Sequence, residues 1–285
     1  MNAINLELIN ELKNITLAIF DLDGVVYKGH TLIPNSDKVI SYLKENSVKV
    51  VYNSNNSTAT RQMYVDRLRN FNIQCEIKDF YTSASITAEE ITKLKRNAKI
   101  FVIGEIGLRE ELKMRGHTVI DVDYEYDKVD FVIAGLDRAF NYEKLSFAQT
   151  CILQGNAKFY ATNADSTLPV ASGLLPGAGV MVNAVVTCTN RKPVDIFGKP
   201  NPIGIIKMLN DTDTSPEQAV IFGDRLNTDI IAGNRAKIIT ALVLTGVTKE
   251  SDVLKLREDI LQFQEINKDL NPNLVLDSLE NIFIN

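Results

Sequence analysis

Short apolar runs alternate with longer stretches of helical periodicity along most of the chain. Runs of β-branched and aliphatic residues predict strands over residues 16–20, 48–53, 99–103, 131–134, 158–161, 219–222 and 240–244. Between them the apolar spacing predicts helices over 37–45, 58–71, 85–96, 142–154 and 201–209, with Pro202 suited to the first turn of the last. Such alternation implies an α/β fold with a largely parallel sheet.

Three of these strands run into polar clusters. Phe20 leads into Asp21-Leu22-Asp23-Gly24, Asn53 into Ser54-Asn55-Asn56-Ser57, and Phe222 into Gly223-Asp224-Arg225. Ligands of open α/β sheets sit at the carboxyl ends of strands, so the clusters can converge on one crevice. Asp21 and Asp23, one residue apart where an apolar strand ends, repel each other, and partial burial makes each harder to ionise. A divalent cation would offset that cost. Asp21, Asp23 and Asp224 offer the hard oxygen ligands that suit Mg²⁺. Ser54 offers a hydroxyl, the amides entering a helix at Thr58 an anion site, and Lys199 a cation. Together these groups suit a phosphate.

Composition narrows the picture. The chain's 285 residues allow one large domain or two. Its 31 basic against 36 acidic residues give a net charge of −5, which argues against nucleic acid or a membrane surface as partner. Cys75, Cys151 and Cys188 are widely spaced and outside any CxxC, so buried free thiols are expected. The first residues are acidic and amphipathic, unlike a signal peptide, and no apolar run approaches a membrane span. A cytoplasmic protein is the expectation. With only His30 and His117 in the chain, both read as surface or packing residues, acid–base work falls to carboxylates.

DLDGV at 21–25, SNNST at 54–58, GKP at 198–200 and GDRLNTD at 223–229 occur in the order of the four motifs of the haloacid dehalogenase superfamily, which they resemble. TNADSTLPVASGLLPGAG at 162–179 and LVLTGVT at 242–248 are similar to its NagD-type, or p-nitrophenylphosphatase-like, branch. The resemblance implies a Rossmann-like, doubly wound core formed by residues 1–81 and 193–285, with a class IIA α/β cap inserted at 82–192. It implies Asp21 as nucleophile, forming an aspartyl-phosphate. Asp23 would protonate the leaving alcohol and then deprotonate water. Mg²⁺ would be held by the Asp21 side chain, the Asp23 carbonyl and Asp224, with Asp229 orienting from behind. Ser54 and Lys199 would hold the transferring phosphoryl group. Asn55 stands beside Ser54 in this phosphate-binding stretch, although Asn55 and Asn56 on their own read as turn or helix-cap residues. Asn227 departs from the branch pattern, which has aspartate there.

The implied activity is Mg²⁺-dependent hydrolysis of small phosphorylated metabolites such as p-nitrophenyl phosphate, phosphoglycolate, or nucleotide and sugar phosphates. A phosphomutase or an inactive phosphometabolite-binding module is the alternative, and homodimerisation through the cap is a family expectation. The loops 135–145 and 161–165 are the cap segments to watch. Gly104–Gly107 reads as a strand-to-helix turn, Pro176–Gly179 as a hinge-like turn, and 249–269 as a solvated helix.

Overall fold

The computed structural model describes residues 7–170, 173–262 and 268–284, and the chain divides into two compact units. The first takes Met1–Asn53, Leu68–Asp79 and Ile205–Asn285; the second takes Ser54–Arg67 and Phe80–Gly204. The expected insertion at 82–192 falls inside the second, which begins earlier and ends later.

Five strands of the larger sheet belong to the first unit, in the spatial order Leu274–Leu276, Ile239–Val243, Ala219–Gly223, Leu17–Phe20, Lys49–Ser54. All four pairings are parallel. Leu17–Phe20 is buried at every position, as a strand covered on both faces must be. The chain steps outward one way to Lys49–Ser54 and the other way to Ala219–Gly223, so the order reverses beside Leu17–Phe20. Such a reversal opens a crevice at the strands' carboxyl ends. Phe20 and Phe222, paired in register, stack with ring centroids 4.9 Å apart and fix the two strands there. The helix Ser36–Glu45 covers one face through Val39, Ile40 and Leu43.

The second unit holds a four-stranded parallel sheet in the order Thr118–Ile120, Lys99–Ile103, Phe131–Ala134, Lys158–Ala161. The helices Tyr142–Leu153 and Ala178–Thr189 pack on it through Ala148, Cys151, Val182 and Val185. Thr82 and Ser85 form a reciprocal cap that starts the helix Ser83–Leu94 two residues before its predicted position. Arg61 grips the buried Glu111 through two bonds of 2.6 and 3.0 Å. Gly104–Gly107 joins Lys99–Ile103 to the helix Ile106–Met114, the turn the sequence predicts. Pro176–Gly179 also joins a strand to a helix: Pro176 closes the strand Gly173–Pro176, and Gly177 caps Ala178–Thr189.

Two findings correct the expectations. Cys188 is half-exposed rather than buried, while Cys75 and Cys151 are buried, and all three are thiols outside any disulfide. Burial pushes the Cys151 thiol up to about 12, so it stays protonated. Pro202 precedes the helix Ile203–Thr212 instead of occupying its first turn. The charged stretch is helical over Glu250–Gln262, with 263–267 outside the described residues. Among the described residues no helix is long and apolar enough to cross a membrane.

His117 is a packing residue with a defined tautomer. Its Nδ1 accepts from the Ala98 amide at 3.1 Å, so the proton sits on Nε2, 2.8 Å from Thr92 Oγ1. Burial, and then the neighbouring Arg115, holds its pKa below the ordinary histidine value. A free imidazole titrates near pH 6.5, so the unfolded chain takes the proton first as pH falls. The stabilisation is therefore complete above about pH 6.5 and is lost below it. Denaturant midpoints measured from pH 7.5 to 5 are expected to fall more steeply for the native chain than for His117→Phe. Equal slopes would assign the acid sensitivity to other groups.

Candidate active site

The carboxyl ends of adjacent parallel strands create the first cluster. Leu17–Phe20 and Ala219–Gly223 run in register, and the Asp21 amide donates to Phe222 O at 2.9 Å. Asp21 and Asp224 therefore leave the sheet on the same edge. After Asp224 the chain makes a π-helical turn, Leu226–Ile230, in which the amides of Asp229 and Ile230 both reach Arg225 O. That turn returns Asp229 to the strand end. Carboxylate oxygens of Asp21, Asp224 and Asp229 lie within 4.8 Å of one another, and all three residues are buried.

Three negative charges at such spacing repel by on the order of 3 kcal/mol per pair at an effective dielectric of about 20. Part of the charge is met by backbone and hydroxyl donors. Val247 N–H donates to Asp224 Oδ2 at 2.7 Å, and Arg225 N–H to Asp229 Oδ2 at 3.1 Å, with Thr228 Oγ1 at 3.4 Å. The cluster's carboxylate oxygens form a set of hard anionic donors that fits a small divalent cation. Asn227 is exposed on the π-helical turn.

Asp23 occupies a half-buried position in the turn that follows Asp21. Leu22 O accepts from the amides of Val26 and Tyr27, while Gly24 N–H donates to Tyr27 O at 2.8 Å. Gly24 has φ +89°, and a Cβ there would sit 2.5 Å from Asp224 Oδ2, so the DLDG glycine is required twice over. The loop 244–248 closes the cluster from the other side. Thr245 Oγ1 donates to Gly24 O at 2.6 Å and Thr248 N–H to Asp224 O at 3.1 Å. The sequence marks this segment only as a branch signature; its clamp on Asp224 uses backbone atoms that no side-chain pattern reveals.

The second unit carries another polar cluster. Lys199 is 5% exposed, at the end of a short ladder in which Phe197 N–H donates to Ala161 O and Gly198 N–H to Thr162 O. Asn55 bonds Lys199 through the backbone: its Oδ1 accepts from Lys199 N–H at 2.8 Å and its Nδ2 donates to Lys199 O at 3.0 Å. Ser54 Oγ accepts from Asn56 N–H at 3.2 Å. Asn56 Oδ1 accepts from both the amide and the hydroxyl of Thr58, at 2.9 and 2.7 Å. The predicted helix over 58–71 consequently starts later, at Arg61, and the Thr58 amide is satisfied by Asn56 rather than offered to an anion. Asp165, which also accepts from Asn55 Nδ2, was not singled out in the sequence as a site residue.

Comparisons with known proteins give the family. Residues 18–118 match the model of the haloacid dehalogenase-like hydrolases, and residues 196–282 a second, HAD-hydrolase-like model. The 5'-nucleotidase YutF of Bacillus subtilis is 35% identical over 81% of this chain and 88% of its own length. The acid sugar phosphatase of Staphylococcus saprophyticus is 36% identical over 86% of this chain and 92% of its own. Among solved structures, the 4-nitrophenylphosphatase of Thermotoga maritima superposes with a TM-score of 0.84 at 33% identity, covering 95% of this chain and 97% of that one.

Gly246 tests the carboxylate cluster. A Cβ there would lie 2.0 Å from Asp224 Oδ2 and 2.4 Å from its Cβ, so Gly246→Ala must push Asp224 aside. Calorimetric titration with a divalent cation is expected to show affinity reduced at least about tenfold, with circular dichroism unchanged. Native affinity in this variant would remove Asp224 from the ligand set.

Proposed function

Since the chain belongs to the haloacid dehalogenase-like hydrolases and is a phosphatase, we propose that it is a Mg²⁺-dependent phosphomonoesterase working through an aspartyl-phosphate at Asp21. The observation that carries this reading is the buried cluster of Asp21, Asp224 and Asp229 at the edge where the strand order reverses. A carboxylate nucleophile next to a hard-cation site is what phosphoryl transfer from a monoester needs.

In the proposed reaction an Asp21 oxygen attacks phosphorus while the ester P–O bond breaks. Asp23, half-exposed and therefore open to exchange with water, gives its proton to the departing oxygen. Water then attacks the phosphoryl group, passing a proton to Asp23 as the bond to Asp21 breaks. When bound, Mg²⁺ supplies fixed positive charge against the phosphoryl oxygens. Asp21 and Asp224 are the side chains assigned to hold it, together with the Asp23 carbonyl. The position of Asp229 within the carboxylate cluster supports its part in the same site. The resemblance assigns Ser54 and Lys199 to the transferring group; the burial of Lys199 supports a functional charge over a solvated one.

The relatives named as a nucleotidase, a sugar phosphatase and a nitrophenylphosphatase favour a phosphate carried on a small alcohol or phenol. Residues 82–192 are proposed to select the leaving group. Retention of both Asp21 and Asp23 favours hydrolysis over an inactive binding module.

Release of inorganic phosphate from a panel of phosphorylated metabolites and p-nitrophenyl phosphate should require Mg²⁺, stop with chelator, and be absent from Asp21→Asn. In Asp23→Asn, turnover of alkyl phosphates is expected to fall on the order of 100-fold or more. With p-nitrophenyl phosphate, whose leaving group needs little protonation, that variant should release up to one equivalent of nitrophenol and then stall. Steady native turnover would overturn the role given to Asp23.

A further inference from the structure

We propose that Asn55 is a positioning residue: its side-chain amide sets where Lys199 stands, and Asp165 fixes that amide in turn. The inference rests on the reading that Lys199 holds the phosphoryl group. It departs from the simpler expectation that Asn55 touches the phosphate itself.

The geometry is that of a strand partner built from a side chain. The ladder runs from Phe197 N–H to Ala161 O, at 3.1 Å, and from Gly198 N–H to Thr162 O, at 2.7 Å. At Lys199 the backbone partner is replaced by the Asn55 amide, which accepts from the Lys199 N–H and donates to its carbonyl. An amide side chain presents the same donor and acceptor as a peptide unit, so it can serve as the last rung. Lys199 N–H requires an acceptor, which orients Oδ1 towards it. The two Nδ2 hydrogens then go to Lys199 O and, at 3.1 Å, to Asp165 Oδ2. Both side-chain donors of Asn55 are thus committed inside the protein.

Asp165 closes a ring. Its Oδ2 also accepts from Asn163 Nδ2 at 2.8 Å, and Asn163 Oδ1 accepts from Thr162 Oγ1 at 2.9 Å. Thr162 is the residue whose carbonyl holds Gly198. The Asn55 backbone is anchored as well, its carbonyl accepting from Ser83 Oγ at 2.6 Å. A connected, satisfied ring of this kind is stiff, and stiffness is what a lysine on a flexible four-carbon stem lacks by itself. Neither neighbouring side chain substitutes. Aspartate could not donate to Lys199 O and would face Asp165, while glutamine would carry the amide one carbon too far.

A double-mutant cycle on the Mg²⁺-loaded protein tests the assignment, with inorganic phosphate as competitive inhibitor and p-nitrophenyl phosphate as substrate. Asn55→Ala should weaken phosphate about tenfold and lower kcat. In a Lys199→Ala background the same change should cost nothing further. Asp165→Asn, which leaves Asn55 in place but removes its carboxylate acceptor, should show a smaller loss that also vanishes in the Lys199→Ala background. It carries the test if Asn55→Ala does not fold. Additive losses would mean that Asn55 meets the phosphate directly, and a silent Asn55→Ala beside a defective Lys199→Ala would mean that it positions nothing; either overturns the inference. Unchanged phosphate affinity in Lys199→Ala would instead overturn the role of Lys199.

Discussion

Mutual repulsion among buried carboxylates is the constraint on which the first unit depends. Asp21 and Asp224 cannot stand together at a strand edge unless something holds them there. The parallel register of Leu17–Phe20 with Ala219–Gly223 sets their separation, and the stacked Phe20 and Phe222 lock that register one residue before the charge appears. The surrounding loops then supply amide protons: the 244–248 segment to Asp224, the π-helical turn to Asp229. Burial strengthens the field of an uncompensated charge as much as that of a compensated one. Repulsion among these carboxylates is what a small, highly charged cation would offset.

The second unit solves a different problem by different means. It buries a lysine, Lys199, whose backbone meets the Asn55 amide, with Asp165 accepting from Asn55 and Asn163 in turn. Where the first cluster is shaped by backbone amides reaching carboxylates, the second is shaped by side-chain amides reaching backbone.

Much of this was legible in the amino-acid sequence. Runs such as FVIA at Phe131–Ala134 and AVIFG at Ala219–Gly223 are continuous and apolar because both faces of a parallel sheet are covered, so they announce themselves. The strands Phe80–Thr82, Thr118–Ile120 and Leu274–Leu276 have three residues each, too few to establish a period. Asp21 and Asp224 stand out at the ends of apolar runs, Asp23 by its place beside Asp21, and Lys199 by its place in GKP. Asp165 does not, since its meaning lies in two amide donors, one of them 110 positions away. The helix starts at Arg61, later than apolar spacing predicts, for a related reason. Asn56 uses its side chain on Thr58, a local competition that apolar spacing does not record.

The strand order has a temporal side. The two companion carboxylates of Asp21 follow it by more than two hundred residues, and the loop that clamps Asp224 comes later still. Phe80–Gly204, by contrast, is an unbroken stretch that is complete before the strand Ala219–Gly223 has been made. Chains fold domain by domain as they emerge, amino-terminal parts first. A nascent chain therefore lacks the companions of Asp21 until Asp224 and Asp229 have been translated. Arrest before Asp229 leaves a polypeptide without its three-carboxylate cluster.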